Sequence, residues 1–266
     1  MRTLAIAPLW MIGCGTMGGA MLRRWIADGM DPGRVTVVTR GAAALPAGVR
    51  HLAAPPPDAE PGIVVLAVKP QQLGVVAPLL AATRPPLLVS ILAGVEEATL
   101  QARIPADAVV RAMPNLPVAI GRGVTALYTS SGDDMVRGAA EALAAPLGSI
   151  EWIAAETQFD AVTALAGCGP GFVFRFADAL AQAGTALGLP TDQAARLALA
   201  TLEGAAIMAA TSDATPATLA DRVASPGGST RKGLDVLDAE DALVRLLTAT
   251  LAASARRNAE MAAEAR

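Results

Sequence analysis

Leu9–Gly18 reads LWMIGCGTMG, an apolar run that ends in Gly13-Cys14-Gly15-Thr16-Met17-Gly18. The last six residues fit G-x-G-x-x-G, a pattern with little weight alone and more where a strand precedes it and a helix follows. Both flanks are present, with Leu9–Gly13 as the strand and helical spacing over Met17–Gly29. In that setting Gly13 permits the tight turn, Gly15 lets backbone approach a pyrophosphate, and Gly18 lets helix pack on strand. Free N–H groups at the helix start then receive the phosphates. A glycine-rich turn without a ligand is the plain alternative.

Further along, Val35–Thr39, Ile63–Val68, Leu87–Leu92, Val109–Met113 and Gly123–Thr129 are short apolar or β-branched runs, and Gln71–Thr83 has helical spacing. Wholly apolar runs such as IVVLAV are what a parallel strand buried on both faces requires. Their alternation with helices predicts a doubly wound α/β sheet of Rossmann type over residues 1–154. The Pro-rich stretch Ala53–Pro61 reads as a surface connector. After about Ala154 the texture changes to Ala-rich helical stretches, Gln158–Ala166, Gly171–Leu187, Asp192–Ala210 and Ala239–Ala265. They are apolar round much of their circumference and so must be covered, inside the monomer or by another chain. An all-α C-terminal domain over 155–266 that mediates oligomerisation is expected.

The residue following the second strand selects the dinucleotide. An Asp or Glu about 20 residues past the motif binds a ribose 2′-hydroxyl. Here Thr39-Arg40 stands in that place, and a guanidinium suits a 2′-phosphate, which a carboxylate repels. NADPH is therefore expected over NADH, unless Arg40 is only a solvated loop residue. Ala67-Val68-Lys69-Pro70 closes the third strand and Met113-Pro114-Asn115 a later one. Strand carboxyl ends face ligands in open α/β sheets, so Lys69 and Asn115 are candidate cofactor contacts as well as ordinary loop or capping residues.

The 266-residue chain bounds the rest by what it lacks. Hydrophobic residues make up 53% and charged residues 17%, which excludes a disordered chain. Net charge is −3 and aromatics are 3%, so neither basic patch nor stacking platform points to nucleic acid or an anionic membrane. His51 is the only histidine, which excludes a zinc site built on two. Cys14 and Cys168 lie far apart, as in a reduced, cytoplasmic protein. Leu4–Ile12 is apolar behind Arg2, but it is short, holds Pro8 and lacks an A-x-A site, unlike a secretory signal. No unbroken apolar stretch is long enough for a spanning helix.

Ser225-Pro226-Gly227-Gly228-Ser229-Thr230 precedes a helical stretch. Paired glycines with hydroxyl residues at a helix start offer backbone N–H groups to an anion such as a carboxylate. The same residues also read as an N-cap with its connecting loop. Ala166-Gly167-Cys168-Gly169-Pro170-Gly171 is a second glycine-rich break, between helices.

Five co-linear stretches, GCGTMGGAM (13–21), VVLAVKPQ (64–71), VVRAMPNLP (109–117), FDAVTALAGCGPGFVF (159–174) and VASPGGSTRKGL (223–234), resemble the pyrroline-5-carboxylate reductases. The resemblance covers nearly the whole chain. It implies an N-terminal Rossmann domain, a helical dimerisation domain, a homodimer that assembles further, commonly to a decamer, and hydride transfer from NADPH to a cyclic imine to give proline. It implies that Thr230 hydrogen-bonds the ring nitrogen while Ser225, Gly227, Gly228 and Ser229 help to hold the carboxylate. The chain departs from the family at Cys168, Gly171, Asp178, Arg231 and Lys232, the last two adding cations beside the hydroxyl loop. A reductase of another cyclic imine, a β-hydroxyacid-dehydrogenase-like enzyme lacking its lysine, and a non-catalytic NADP sensor are the alternatives.

Overall fold

The strands form where the sequence places unbroken β-branched and aliphatic runs. The computed structural model describes residues 7–41, 44–56 and 59–264. Residues 4–6 of the apolar N-terminal run, 57–58 of the Pro-rich stretch, and Ala265 lie outside them. The chain divides into two compact units, the first reaching Cys168 and taking in the stretch from Ser254 onward, the second being Gly169–Ala253.

The first unit is built on an eight-stranded sheet of order β3-β2-β1-β4-β5-β6-β7-β8. Its strands are β1 (Leu9–Ile12), β2 (Val35–Val38), β3 (Arg50–Leu52), β4 (Ile63–Leu66), β5 (Leu87–Ser90), β6 (Val109–Pro114), β7 (Gly123–Tyr128) and β8 (Gly148–Trp152). β1, β2, β4 and β5 are buried at every position, as a sheet covered on both faces demands. All pairs are parallel except β6–β7. The expected sheet was parallel throughout. Only residues 115–122 separate β6 from β7, too few for a parallel crossover. Strand order reverses at β1, between β2 and β4, and the crevice beyond the carboxyl ends there is where such sheets bind ligands.

Three helices of this unit are α1 (Thr16–Ala27), α2 (Glu97–Arg103) and α3 (Asp134–Ala144). α1 buries Leu22 and Trp25, and the Trp25 indole N–H donates to the Leu143 carbonyl at 2.6 Å. The helical expectation over Gln71–Thr83 resolves into short turns, Pro70–Gln72, Leu73–Val76 and Ala77–Leu80. Pro78 has no N–H to continue the α ladder and crowds the preceding turn. The Gln158–Ala166 segment is likewise one α turn, Phe159–Val162, followed by a wider π turn, Thr163–Gly167.

An ionic network, buried at Arg111 and Glu97, joins three of these pieces. Arg111 on β6 pairs with Glu156 at 2.7 Å and lies over the Phe159 ring. Glu156 also accepts the Glu97 N–H at the start of α2, and the Glu97 carboxylate accepts both the backbone N–H and the hydroxyl of Ser130.

The second unit contains α4 (Gly169–Ala186), α5 (Thr191–Ala210), α6 (Pro216–Val223), α7 (Ser229–Asp238) and the first half of α8 (Ala242–Glu264). α4 packs on α5. The expected start of the last helix at Ala239 moves to Ala242, because Glu240 and Asp241 take positive φ. Phe174, Leu187, Leu199, Ile207, Val236, Val244 and Leu246 are exposed on the single chain.

Two stability outcomes follow from this packing. Trp25→Ala is expected to lose about 3–5 kcal/mol in urea unfolding, the usual cost of a buried aromatic truncation. Burial pushes the Glu97 carboxyl up, more than the Ser130 hydrogen bonds pull it down. The folded state therefore holds that proton to higher pH than the unfolded chain, and ionisation costs stability as pH rises from the ordinary glutamate range through the raised value. Glu97→Gln is expected to flatten that fall in a series of melts against pH.

Candidate functional site

The turn from β1 into α1 is shaped by contacts that only glycine admits. Gly13 has φ +86°, and a Cβ there would lie 2.6 Å from a Val68 methyl and 2.7 Å from the Ala67 carbonyl oxygen. At Gly18 a Cβ would come 2.9 Å from that of Ala67, so α1 lies close on the end of β4. Around Gly15 nothing stands within 4 Å, which leaves its backbone open to an approaching ligand. Gly15 is the N-cap of α1, and no side chain caps it. The first N–H groups of the helix are thereby offered outward with the positive end of its dipole.

This turn is one wall of a cavity of about 820 Å³. Gly13, Gly15, Thr16, Met17 and Gly18 line it together with Thr39 and Arg40 beyond β2 and Ala67, Val68 and Lys69 beyond β4. No Asp or Glu is among its lining residues. Volume, glycine turn and bordering cations fit an extended, anionic dinucleotide. Pro70 begins the 3₁₀ turn behind Lys69, outside the lining.

Asn115 also stands outside it. Its side-chain N–H donates to the Ala166 carbonyl at 3.0 Å, and its amide oxygen accepts the Val124 N–H at 2.8 Å. Both ends of the amide thus hold the unit together. The neighbouring Met113 and Pro114 do reach the cavity.

Other lining residues were not singled out from the sequence. Gln72, Val76 and Leu79 recur at helical spacing after Lys69-Pro70, a signal that was available. Ala53 and Ala54 follow β3, a three-residue strand too short to read as one. His51, on β3, sets its Nε2 3.0 Å from the Thr39 carbonyl, bracing the end of β2. The Cys14 thiol is pushed up by burial, with the Arg23 charge acting the other way.

In the second unit, Ser225–Gly228 closes a β-turn. The Gly228 N–H donates to the Ser225 carbonyl at 2.9 Å, and Gly227 supplies φ +71°. Pro226 before a positive-φ glycine is the type II arrangement. Gly228 is the N-cap of α7, with no capping side chain, and Ser229 and Thr230 open the helix, Thr230 exposed. The two extra cations beside the loop are engaged locally: Arg231 reaches Asp221 at 2.6 Å and Lys232 reaches Asp235 at 3.4 Å. Asp178 accepts from Arg175 and Gln182 on its own helix.

Fold and cavity define a nucleotide-binding α/β protein with a helical C-terminal region. Residues 156–261 match the family model described as pyrroline-5-carboxylate reductase dimerisation, and residues 9–94 match that for NADP oxidoreductase, coenzyme F420-dependent. The chain is 36% identical to the pyrroline-5-carboxylate reductase of Thermus thermophilus over 93% of this chain and 96% of that one. It is 38% identical to that of Pseudomonas aeruginosa over 77% and 76%. The solved structure of a pyrroline-5-carboxylate reductase from Coxiella burnetii superposes with a TM-score of 0.85 at 30% identity, covering 96% of this chain and 98% of that chain. The chain belongs to the pyrroline-5-carboxylate reductase family. Its C-terminal helices are accordingly an oligomerisation region. No helix among the described residues is long and apolar enough to cross a membrane.

The glycine turn yields a paired outcome. Gly13→Ala puts a Cβ on a positive-φ residue against β4 and is expected to lower stability by about 1–3 kcal/mol. Gly15→Ala enters open space and is expected to leave the melting curve within about 0.5 kcal/mol of wild type while weakening NADPH binding, followed by the coenzyme's fluorescence.

Proposed function

We propose that the protein reduces 1-pyrroline-5-carboxylate to L-proline with NADPH, the closing step of proline biosynthesis. The observation that carries this reading is family membership together with a glycine-turn cavity bordered by Arg40 and no carboxylate. Gly13, Gly15, Thr16, Met17 and Gly18 would hold the pyrophosphate. Thr39 and Arg40 would take the 2′-phosphate, and Ala67, Val68, Lys69 and Pro70 would border the nicotinamide half. Asn115 serves this site by fixing the wall that Met113 and Pro114 present.

When bound, the reduced nicotinamide supplies the hydride that adds to C5 of the protonated C=N bond, whose electron pair moves onto nitrogen. The residues around the hydroxyl loop have a simple task. A protonated imine needs no strong enzymic acid, and Ser225, Ser229 and Thr230 offer none. Thr230 orients the ring nitrogen by a hydrogen bond. Ser225, Gly227, Gly228 and Ser229 hold the carboxylate through backbone and hydroxyl donors at the start of α7. Catalysis is then chiefly the positioning of two reactants, worth several kcal/mol.

Homodimers through the C-terminal helices, their further assembly to a decamer, and a cytoplasmic location belong to the same reading. Sedimentation of the purified protein tests the assembly.

The deciding assay is NADPH oxidation at 340 nm with pyrroline-5-carboxylate and piperideine-6-carboxylate side by side. Turnover of the five-membered imine is expected, and turnover of the six-membered imine alone would replace the assignment. Thr230→Val is expected to reduce kcat about 10- to 100-fold, as loss of one positioned hydrogen bond does, with NADPH affinity unchanged. Wild-type turnover by that variant would refute the role given to Thr230.

A further inference from the structure

Beside the main cavity lies a smaller one of about 430 Å³, sharing Cys14, Gly15, Thr16 and Thr39 with it and lined also by Gly19, Arg23, Gly41 and Ala44. Arg23 lies on the second turn of α1, and its side chain folds back toward the helix start. Its Nη1 lies 3.2 Å from where a Cβ of Gly19 would be, with Nη2 at 3.6 Å and Cζ at 3.7 Å. The absence of a side chain at residue 19 lets the group lie against the helix. Its charge acts on the Cys14 thiol, inside the glycine turn.

The neighbouring arginine shows the contrast. Arg24 donates to the Pro146 carbonyl at 3.0 Å and pairs with Asp28, also at 3.0 Å, so its charge is used within the fold. Among the described residues no carboxylate pairs with Arg23.

We propose that Arg23 is a second cation for the coenzyme's 2′-phosphate, in addition to Arg40, and so helps set the preference for NADPH over NADH. The inference rests on the reading of the main cavity as an NADPH site. Position decides between the coenzyme's phosphates. The pyrophosphate belongs at the N–H groups of the first turn of α1. The smaller cavity instead runs from that turn to Thr39 and Gly41, past the end of β2, where the adenosine ribose is read. Charge agrees, because a phosphate monoester carries roughly −1.5 to −2 at neutral pH. Arg40 alone leaves part of that charge uncompensated.

The test is titration of wild type, Arg23→Gln, Arg23→Lys and Arg24→Gln with NADPH, NADH and adenosine 2′,5′-bisphosphate in the absence of imine, together with KM and kcat for both coenzymes. Arg23→Gln is expected to weaken NADPH and the bisphosphate roughly tenfold, the usual loss for one charge-assisted bond. NADH should stay within twofold and kcat should not move. Arg23→Lys should recover part of the loss. Arg24→Gln, with the same change in net charge, should keep the wild-type coenzyme ratio. Unchanged NADPH affinity in Arg23→Gln overturns the inference. So does equal weakening of NADPH and NADH, which would place Arg23 on the pyrophosphate, or an equal effect of Arg24→Gln, which would make it a general field. A wild type that binds NADPH but reduces no imine overturns the proposed reaction instead, and the same titrations still decide on Arg23. A wild type that binds neither coenzyme overturns both.

Discussion

The closeness of α1 to the ends of β1 and β4 is the constraint on which the site depends. With Gly13 against the Ala67 carbonyl and Gly18 against the Ala67 methyl, the helix begins directly above the point where strand order reverses. Its free N–H groups then open into the crevice rather than against another element. A single added Cβ at either place would push the helix away and turn the same donors elsewhere. Thr39 and Lys69 fall on opposite sides of that helix start because β2 and β4 flank β1 in the sheet. Residues distant in sequence thus border one cavity through strand order alone.

This explains which parts of the molecule could be read from the chain. The glycine turn and the buried strands were legible because each is a local rule: a φ requirement, a close approach, an unbroken apolar run. The β6–β7 reversal was also within reach, since a linker of eight residues forbids a crossover. What escaped depends on partners far apart in sequence. Asn115 sits at a strand end, the place for a ligand contact, and there its side-chain amide bonds Val124 and Ala166. Neither bond has a signature in the sequence around it. Arg111, Glu97 and the half-buried Glu156 form a network whose members are separated by tens of residues or more along the chain, and each alone reads as a solvated charge.

The helical unit follows a different logic. Its sequence is apolar enough to require burial, yet α4 and α5 bury only a few alanines among their own residues, Ala177, Ala194 and Ala198. Helices of 18 and 20 residues with so little of their surface covered owe their stability to something beyond the single chain. Family membership supplies the occupant, because the matching region is a dimerisation region. Where association covers such helices, apparent stability depends on protein concentration.

The distribution of charge completes the argument. Where cations hold the fold, they are matched: Arg111 with Glu156, Arg24 with Asp28, Arg231 with Asp221. Around the two cavities Arg23, Arg40 and Lys69 carry charge that no carboxylate among the described residues neutralises, and no Asp or Glu lines either cavity. Like charges brought together without counter-ions raise the free energy of the folded chain. A concentration of them beside open helix N–H groups lowers that energy again only when an anion is bound. The chain is slightly acidic as a whole, with net charge −3, so this local surplus is not a by-product of composition. Electrostatics therefore favours an anion at the glycine turn, and under the proposed assignment the cations standing outside the turn choose which anion it is.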